Sequence, residues 1–170
     1  MSLPQLQSKQ YPVEVFTAQF LISAVLEPIG ALMPFLENAD RKTILFKQAN
    51  ATAIEPSISL PAFNADELWL PRTEIIALRF LEPTASETMR FMPNKAKLRV
   101  FLPHFIVQAT FSHGPDTKLH EIFNVISSDW IPAADAHIYP LVPTRNKIAA
   151  EAQTLLIIKH HIQFYQPVKE

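Results

Sequence analysis

The sequence predicts a mainly β (α+β) fold in which two similar halves build a six-stranded pseudosymmetric sandwich or partly closed barrel. The first observation is an internal repeat, because residues 15–24 read in parallel with residues 100–109, 85 positions later. The second is composition: 48% of the residues are hydrophobic and 18% are charged, which excludes a disordered chain. The third is punctuation by 15 Pro and only 2 Gly, which favours proline-pinned loops over tight glycine hairpins.

Each repeat opens with a pattern typical of one long strand with one buried face. Apolar and polar residues alternate with a period of two, which is the period of side chains along a strand. The predicted buried positions of the first copy are Phe16, Ala18, Phe20, Ile22, Ala24 and Leu26. Those of the second copy are Phe101, Pro103, Phe105, Val107, Ala109 and Phe111.

A glycine turn, a short helix and a second strand follow in each copy. The helix is clearer in the second copy, where Asp116 or Thr117 is placed to cap it. In the first copy Pro34 limits the helix to one or two turns. The second strand is predicted over residues 43–54 and 130–139.

A third strand completes each copy, over residues 68–76 and 155–163, at an offset of 87 that places a two-residue insertion in the preceding loop. Apolar residues on both faces of segment 155–158 predict a cover, either the first copy or another subunit. The predicted organisation is therefore one joint globular domain. It divides into an N-terminal tail (1–12), repeat 1 (13–82), a linker (83–96) and repeat 2 (97–167).

Two segments of each copy resemble an uncharacterised bacterial domain of unknown function. Residues 36–51 and 123–136 carry a similar helix end followed by a strand with an Asn-Ala or Asp-Ala step. Residues 157–162, and more loosely residues 70–75, are similar to that domain's final strand. The resemblance implies a tandem strand-helix-strand-strand unit, and it brings no established activity.

The segment Lys159-His160-His161-Ile162 also resembles the terminal strand of the Sm-like small β-barrels related to the RNA chaperone Hfq. That resemblance implies RNA binding at this strand on a ring oligomer. The predicted helix between the first two strands and the missing Gly-rich loop depart from the Sm pattern. Neighbouring strand residues point to opposite faces, so we expect at most one of the two histidines at a given site.

Charge and targeting signals exclude several broad classes of partner. The formal net charge is −1, so no global field attracts nucleic acid or an anionic membrane. The chain has no Cys, which excludes disulfides and thiolate chemistry. The first ten residues carry no signal-peptide pattern, and no apolar stretch is long enough to span a bilayer. We expect a cytoplasmic protein without membrane insertion.

Catalytic and metal motifs are weak. A site with two histidines and a carboxylate is conceivable at the pairs Asp116/His120 and Asp135/His137, but neither has a metal-binding spacing of its own. Asn50 and Asp135 align in the repeat, and we expect them to form structural hydrogen bonds. No nucleophile motif, P-loop or dinucleotide fingerprint is present. We expect no cofactor, no metal and no enzymatic activity.

The sequence thus favours a non-enzymatic protein-interaction or scaffold module, a subunit of a homo- or hetero-oligomeric assembly, because the copies keep their apolar framework and differ at polar positions. The alternative is an Sm-like small β-barrel that binds RNA or single-stranded nucleic acid. The candidate partner or nucleic-acid surface consists of Arg72, Arg90, Phe91, Arg99, Lys159, His160 and His161.

Overall fold

The computed structural model describes residues 8–169, and these form one antiparallel sheet of ten strands. The strands are β1 (Tyr11–Phe16), β2 (Phe20–Leu26), β3 (Thr43–Ala53), β4 (Phe63–Pro71), β5 (Ala77–Phe80), β6 (Asn94–Leu102), β7 (Phe105–His113), β8 (Trp130–Pro140), β9 (Glu151–Ile158) and β10 (Phe164–Pro167). A helix, α1 (Leu32–Glu37), lies between β2 and β3. Two short 3-10 segments connect strands: turn A (Arg72–Glu74) links β4 to β5, and turn B (Lys159–His161) links β9 to β10.

The sheet consists of two five-stranded halves joined edge to edge. The spatial order is β10-β6-β7-β8-β9 in the second half, followed by β5-β1-β2-β3-β4 in the first. In both halves the fifth strand therefore lies beside the first, and the fourth strand lies at the opposite edge. The mainly β class is confirmed, but the six strands and the sandwich are wrong. The sheet is not closed, and β4 and β10 are its outer strands.

The long opening strand of each repeat is in fact a hairpin. β1 ends at Phe16 and β2 begins at Phe20, and the Thr17 side chain accepts a hydrogen bond from the Phe20 N–H at 2.9 Å. In the second half Pro103 and His104 make the turn, with His104 at a φ of 66°, as in a type II turn. Apolar and polar residues keep alternating through these turns, so the sequence pattern did not reveal them. α1 therefore follows the second strand and lies between β2 and β3.

The predicted third strands, over residues 68–76 and 155–163, are wrong at their C-terminal ends: each strand stops at a 3-10 turn, and a separate strand follows. β4 and β5 are separated by turn A, and β9 and β10 by turn B, so the chain crosses from one edge of each half to the other. The strands predicted as the second of each repeat, over residues 43–54 and 130–139, correspond to β3 and β8, and their predicted ends are correct to within one residue.

The helix of one or two turns predicted in the first half is confirmed, whereas the clearer helix predicted in the second half is wrong. α1 forms in the first half with Pro34 in its first turn, where a proline removes no intrahelical hydrogen bond. The second half has only a 3-10 segment, Leu119–Glu121, whose N-cap makes no side-chain hydrogen bond. Burial of Ile122 and Phe123 still fills the equivalent place in the core.

The two halves share a backbone irregularity that fixes their alignment. Gln48 in β3 and Asp135 in β8 are 87 positions apart, and both have a φ of 50° beside a break in strand register. Asp135 is thus equivalent to Gln48, and Asn50 is equivalent to His137, which corrects the predicted pairing of Asn50 with Asp135. The two-residue insertion lies between the second and third strands of the second half.

Two hydrophobic clusters form the core, and each includes side chains of both halves. The cluster of the first half contains Leu156 and Ile158 of β9, while the cluster of the second half contains Leu155 and Ile157 of the same strand. β9 is therefore buried on both faces. Of the two covers left open by the sequence, the first copy is the one observed.

Candidate functional site

The halves meet where β5 pairs with β9, and this contact is called the inner junction. Its register places Leu78 opposite Leu156, with one further pair on each side. The Ile158 N–H donates to the Ile76 carbonyl at 3.0 Å. Backbone pairing thus runs without a break from one half to the other.

Side chains on one face reinforce the inner junction. The buried Trp130 indole of β8 donates to the Leu36 carbonyl at the end of α1, at 2.9 Å. Arg72 of turn A lies above the same indole and within 3.6 Å of Asp129 in the other half. Its guanidinium also donates to the Asn38 carbonyl at 2.8 Å. Arg72 was predicted as a partner surface, and here it connects the two halves.

Turn B lies against turn A at this junction. The His161 Nε2 is hydrogen-bonded to the Thr73 carbonyl at 2.8 Å, and burial lowers the pKa of His161 against the opposing effect of that bond. The His160 and His161 ring centroids are 4.2 Å apart. These histidines lie in a 3-10 segment, so the expectation that they point to opposite faces of a strand is wrong.

The predicted surface divides among three places. Arg72, Lys159, His160 and His161 lie together around turns A and B. Arg90 lines a cleft of about 510 Å³ between α1 and β8, next to the exposed Phe91 of the linker. Arg99 lies on β6 and donates to the Gln108 side chain at 3.1 Å. The seven residues do not form one continuous surface.

A small polar cavity of about 170 Å³ lies between the outer face of the first half and the loop before β9. Glu14 lines it and is within 3.1 Å of the Arg79 guanidinium, and both side chains are mostly buried. The Arg79 guanidinium also donates to the Ala149 carbonyl at 3.1 Å. The Arg79–Ala149 hydrogen bond attaches the second-half loop to the first half, and we assign the Glu14–Arg79 ion pair a structural role.

Ligand sets for a metal are not assembled in the described part of the chain. Among residues 8–169, no three His, Asp or Glu side chains are grouped for metal binding. His137 lies 4.0 Å from Glu151, and His120 lies 3.5 Å from Glu121. Asn50 donates to the Asn64 side chain at 2.8 Å, as expected for a structural hydrogen bond.

The most distinctive surface was missed by the sequence reasoning: the two outer strands. On β4, Trp69 is 60% exposed and Phe63 is also exposed. On β10, Phe164 is 57% exposed and its ring stacks on that of Phe101. An available signal was the charged pair Asp66 and Glu67 within the strand, which is typical of an edge strand.

The chain matches no protein-family model, no curated protein and no solved structure. Within residues 8–169, no helix has the length and apolar character needed to cross a bilayer.

Proposed function

We propose that the chain is a non-enzymatic protein-interaction module, a subunit of a larger assembly that binds through its two outer strands. The observation that carries this proposal is the exposure of large aromatic side chains on both strands, Trp69 on β4 and Phe164 on β10. An outer strand also offers a row of unpaired backbone N–H and C=O groups, and strand addition uses these groups for affinity.

The native mass of the protein tests this proposal. Purified from its own cells and measured by light scattering, the chain is expected in a species well above its own 19.3 kDa. Trp69→Asp places a carboxylate on the outer strand and is expected to release the 19.3 kDa chain. Ile29→Asp is the matched control, because Ile29 is an exposed loop residue away from both strands. A wild-type chain that is monomeric and has no partner contradicts the proposal.

A second candidate function is Sm-like RNA binding. One observation favours it: turns A and B, which carry Arg72, Lys159 and the two histidines, join at one place. Against it, Arg72 and Lys159 each donate to a backbone carbonyl, and Asp129 lies beside Arg72.

A mobility shift with oligo(U) at low salt separates the two functions. RNA binding predicts a shift that weakens steeply with salt and that Lys159→Ala reduces. No shift at low salt removes this candidate and leaves the interaction module unaffected.

A further inference from the structure

The strand pairing at the inner junction indicates how the two outer strands of different copies can pair. At the inner junction the fourth strand of one half, β9, pairs with the fifth strand of the other, β5. The two outer strands are the remaining fourth strand, β4, and the remaining fifth strand, β10. A fourth strand thus pairs with a fifth strand once within the chain, and one fourth strand and one fifth strand remain at the two edges of the sheet.

Equivalent positions differ in burial in the way that this pairing requires. Leu156 of β9 is completely buried, whereas its equivalent Trp69, 87 positions earlier, is 60% exposed. Ala77 of β5 is 3% exposed, whereas its equivalent Phe164 is 57% exposed. At the inner junction the other half buries these positions, whereas at the outer strands more than half of each side chain is exposed.

The neighbouring aromatic pair shows the same contrast. Phe16 pairs with Ala77 and is buried in the core cluster of the opposite half. Its equivalent Phe101 pairs with Phe164, and the two rings stack beside the open edge. At the inner junction Phe16 packs into the hydrophobic cluster of the other half. At the outer strands its equivalent, Phe101, stacks on Phe164 instead.

Resting on the proposed function, we propose that the partner is a second copy of this chain and that β10 of one copy pairs antiparallel with β4 of the next. The register of β5 with β9 transfers directly through the repeat. Tyr165 then lies opposite Trp69, with Phe164 opposite Leu70 and Gln166 opposite Leu68. The association is head-to-tail, so copies close into a ring or extend into a filament.

Two substitutions make this outer junction weaker than the inner one. Pro71 takes the place of Ile158, whose N–H bonds across the inner junction, and proline has no N–H to donate. Lys159 and Lys42 take the places of Arg72 and Asp129, which form an ion pair at the inner junction. Two lysines repel, so self-association is expected to be reversible and to strengthen as salt screens them.

Complementation between two blocked variants tests the head-to-tail arrangement. Trp69→Asp blocks β4 and leaves β10 free, while Phe164→Asp blocks β10 and leaves β4 free. Each variant alone is expected to be a monomer of 19.3 kDa, and an equimolar mixture is expected to form a 1:1 dimer. Pairing of like strands predicts instead that one variant dimerises alone. That result, or a mixture that stays monomeric, overturns the proposal.

Disulfide trapping tests the register, and it is clean because the chain has no Cys. Oxidising a mixture of Leu68→Cys and Gln166→Cys chains is expected to crosslink them, because directly opposed strand residues lie within disulfide reach. The control mixture replaces Leu68→Cys with Glu67→Cys, one residue out of register and on the opposite face. Equal crosslinking of both mixtures overturns the register.

The two proposals fail in different ways. If the wild-type chain is monomeric alone but loses a different protein partner on Trp69→Asp substitution, the second copy is the wrong partner and the interaction module stands. If Trp69→Asp and Phe164→Asp change neither mass nor partner binding, both proposals fail.

Discussion

β9 and β4 are equivalent strands of one repeat in opposite surroundings. β9 is buried on both faces because the first half covers it, and residues 155–158 are apolar without interruption. β4 covers its own half with Leu68 and Leu70, exposes Trp69 on its other face, and carries Asp66 and Glu67. The repeat therefore fixes the framework, while the residues facing outward depend on whether the partner belongs to the same chain.

The largest difference between equivalent positions is expected at Trp130 and Thr43. Trp130→Ala removes a fully buried ring and its hydrogen bond to the Leu36 carbonyl, so the free energy of unfolding is expected to fall by about 3–5 kcal/mol. Thr43 is only half-buried, and Thr43→Ala is expected to cost about 0.5–1 kcal/mol. Urea unfolding measures both, and equal losses contradict a special role for the inner junction.

A smaller and qualitatively different contrast is expected at Leu156 and Trp69. Leu156→Ala leaves a cavity between the halves and is expected to lower the free energy of unfolding by about 2–5 kcal/mol. Trp69→Ala is expected to change the stability of the single chain by less than about 0.5 kcal/mol, because its side chain is exposed there. Urea unfolding at a concentration where the chain is monomeric measures the stability of the single chain without any contribution from association. A large loss for Trp69→Ala shows that Trp69 already supports its own half.

The smallest effect is expected at His161, whose equivalent is Glu74. Because burial lowers the pKa of His161, the unfolded chain binds this proton more readily than the folded chain. Stability from this group is therefore complete above the ordinary histidine pKa of about 6.5 and is lost as pH falls toward the lower folded value.

Unfolding midpoints compared between pH 7.5 and pH 5 measure the His161 contribution. His161→Gln is expected to flatten the pH dependence, whereas the exposed neighbour His160→Gln is expected to retain most of it. An unchanged slope in His161→Gln assigns the proton to another group.

The sequence predicted the parts of the fold that depend on local periodicity. The second strands and the buried character of segment 155–158 were visible as patterns, and the structure confirms them. The turns at residues 17–19 and 72–74 were not visible, because apolar residues keep the same spacing on both sides of them. The extra strands that result from these turns set the sheet order.

The candidate surface was predicted less well, for a physical reason. Charged and histidine side chains were selected by residue type, but Arg72 and His161 make contacts between halves that sequence distance conceals. The outer strands depend on which strand lies last in the sheet, and this is a property of the whole topology. Without that strand order, nothing in the sequence distinguished Trp69 and Phe164 from buried apolar residues.

Amide hydrogen exchange measures whether the outer strands β4 and β10 pair between copies. Mass spectrometry of peptides covering residues 63–71 and 164–169 reads the backbone N–H groups of β4 and β10. The N–H groups of these peptides that do not pair with β3 or β6 are expected to be protected in concentrated protein, to lose that protection on dilution, and to lack it in Trp69→Asp at any concentration. Rapid exchange of those N–H groups at every concentration contradicts pairing between copies, whereas the N–H groups paired with β3 and β6 stay protected in either case.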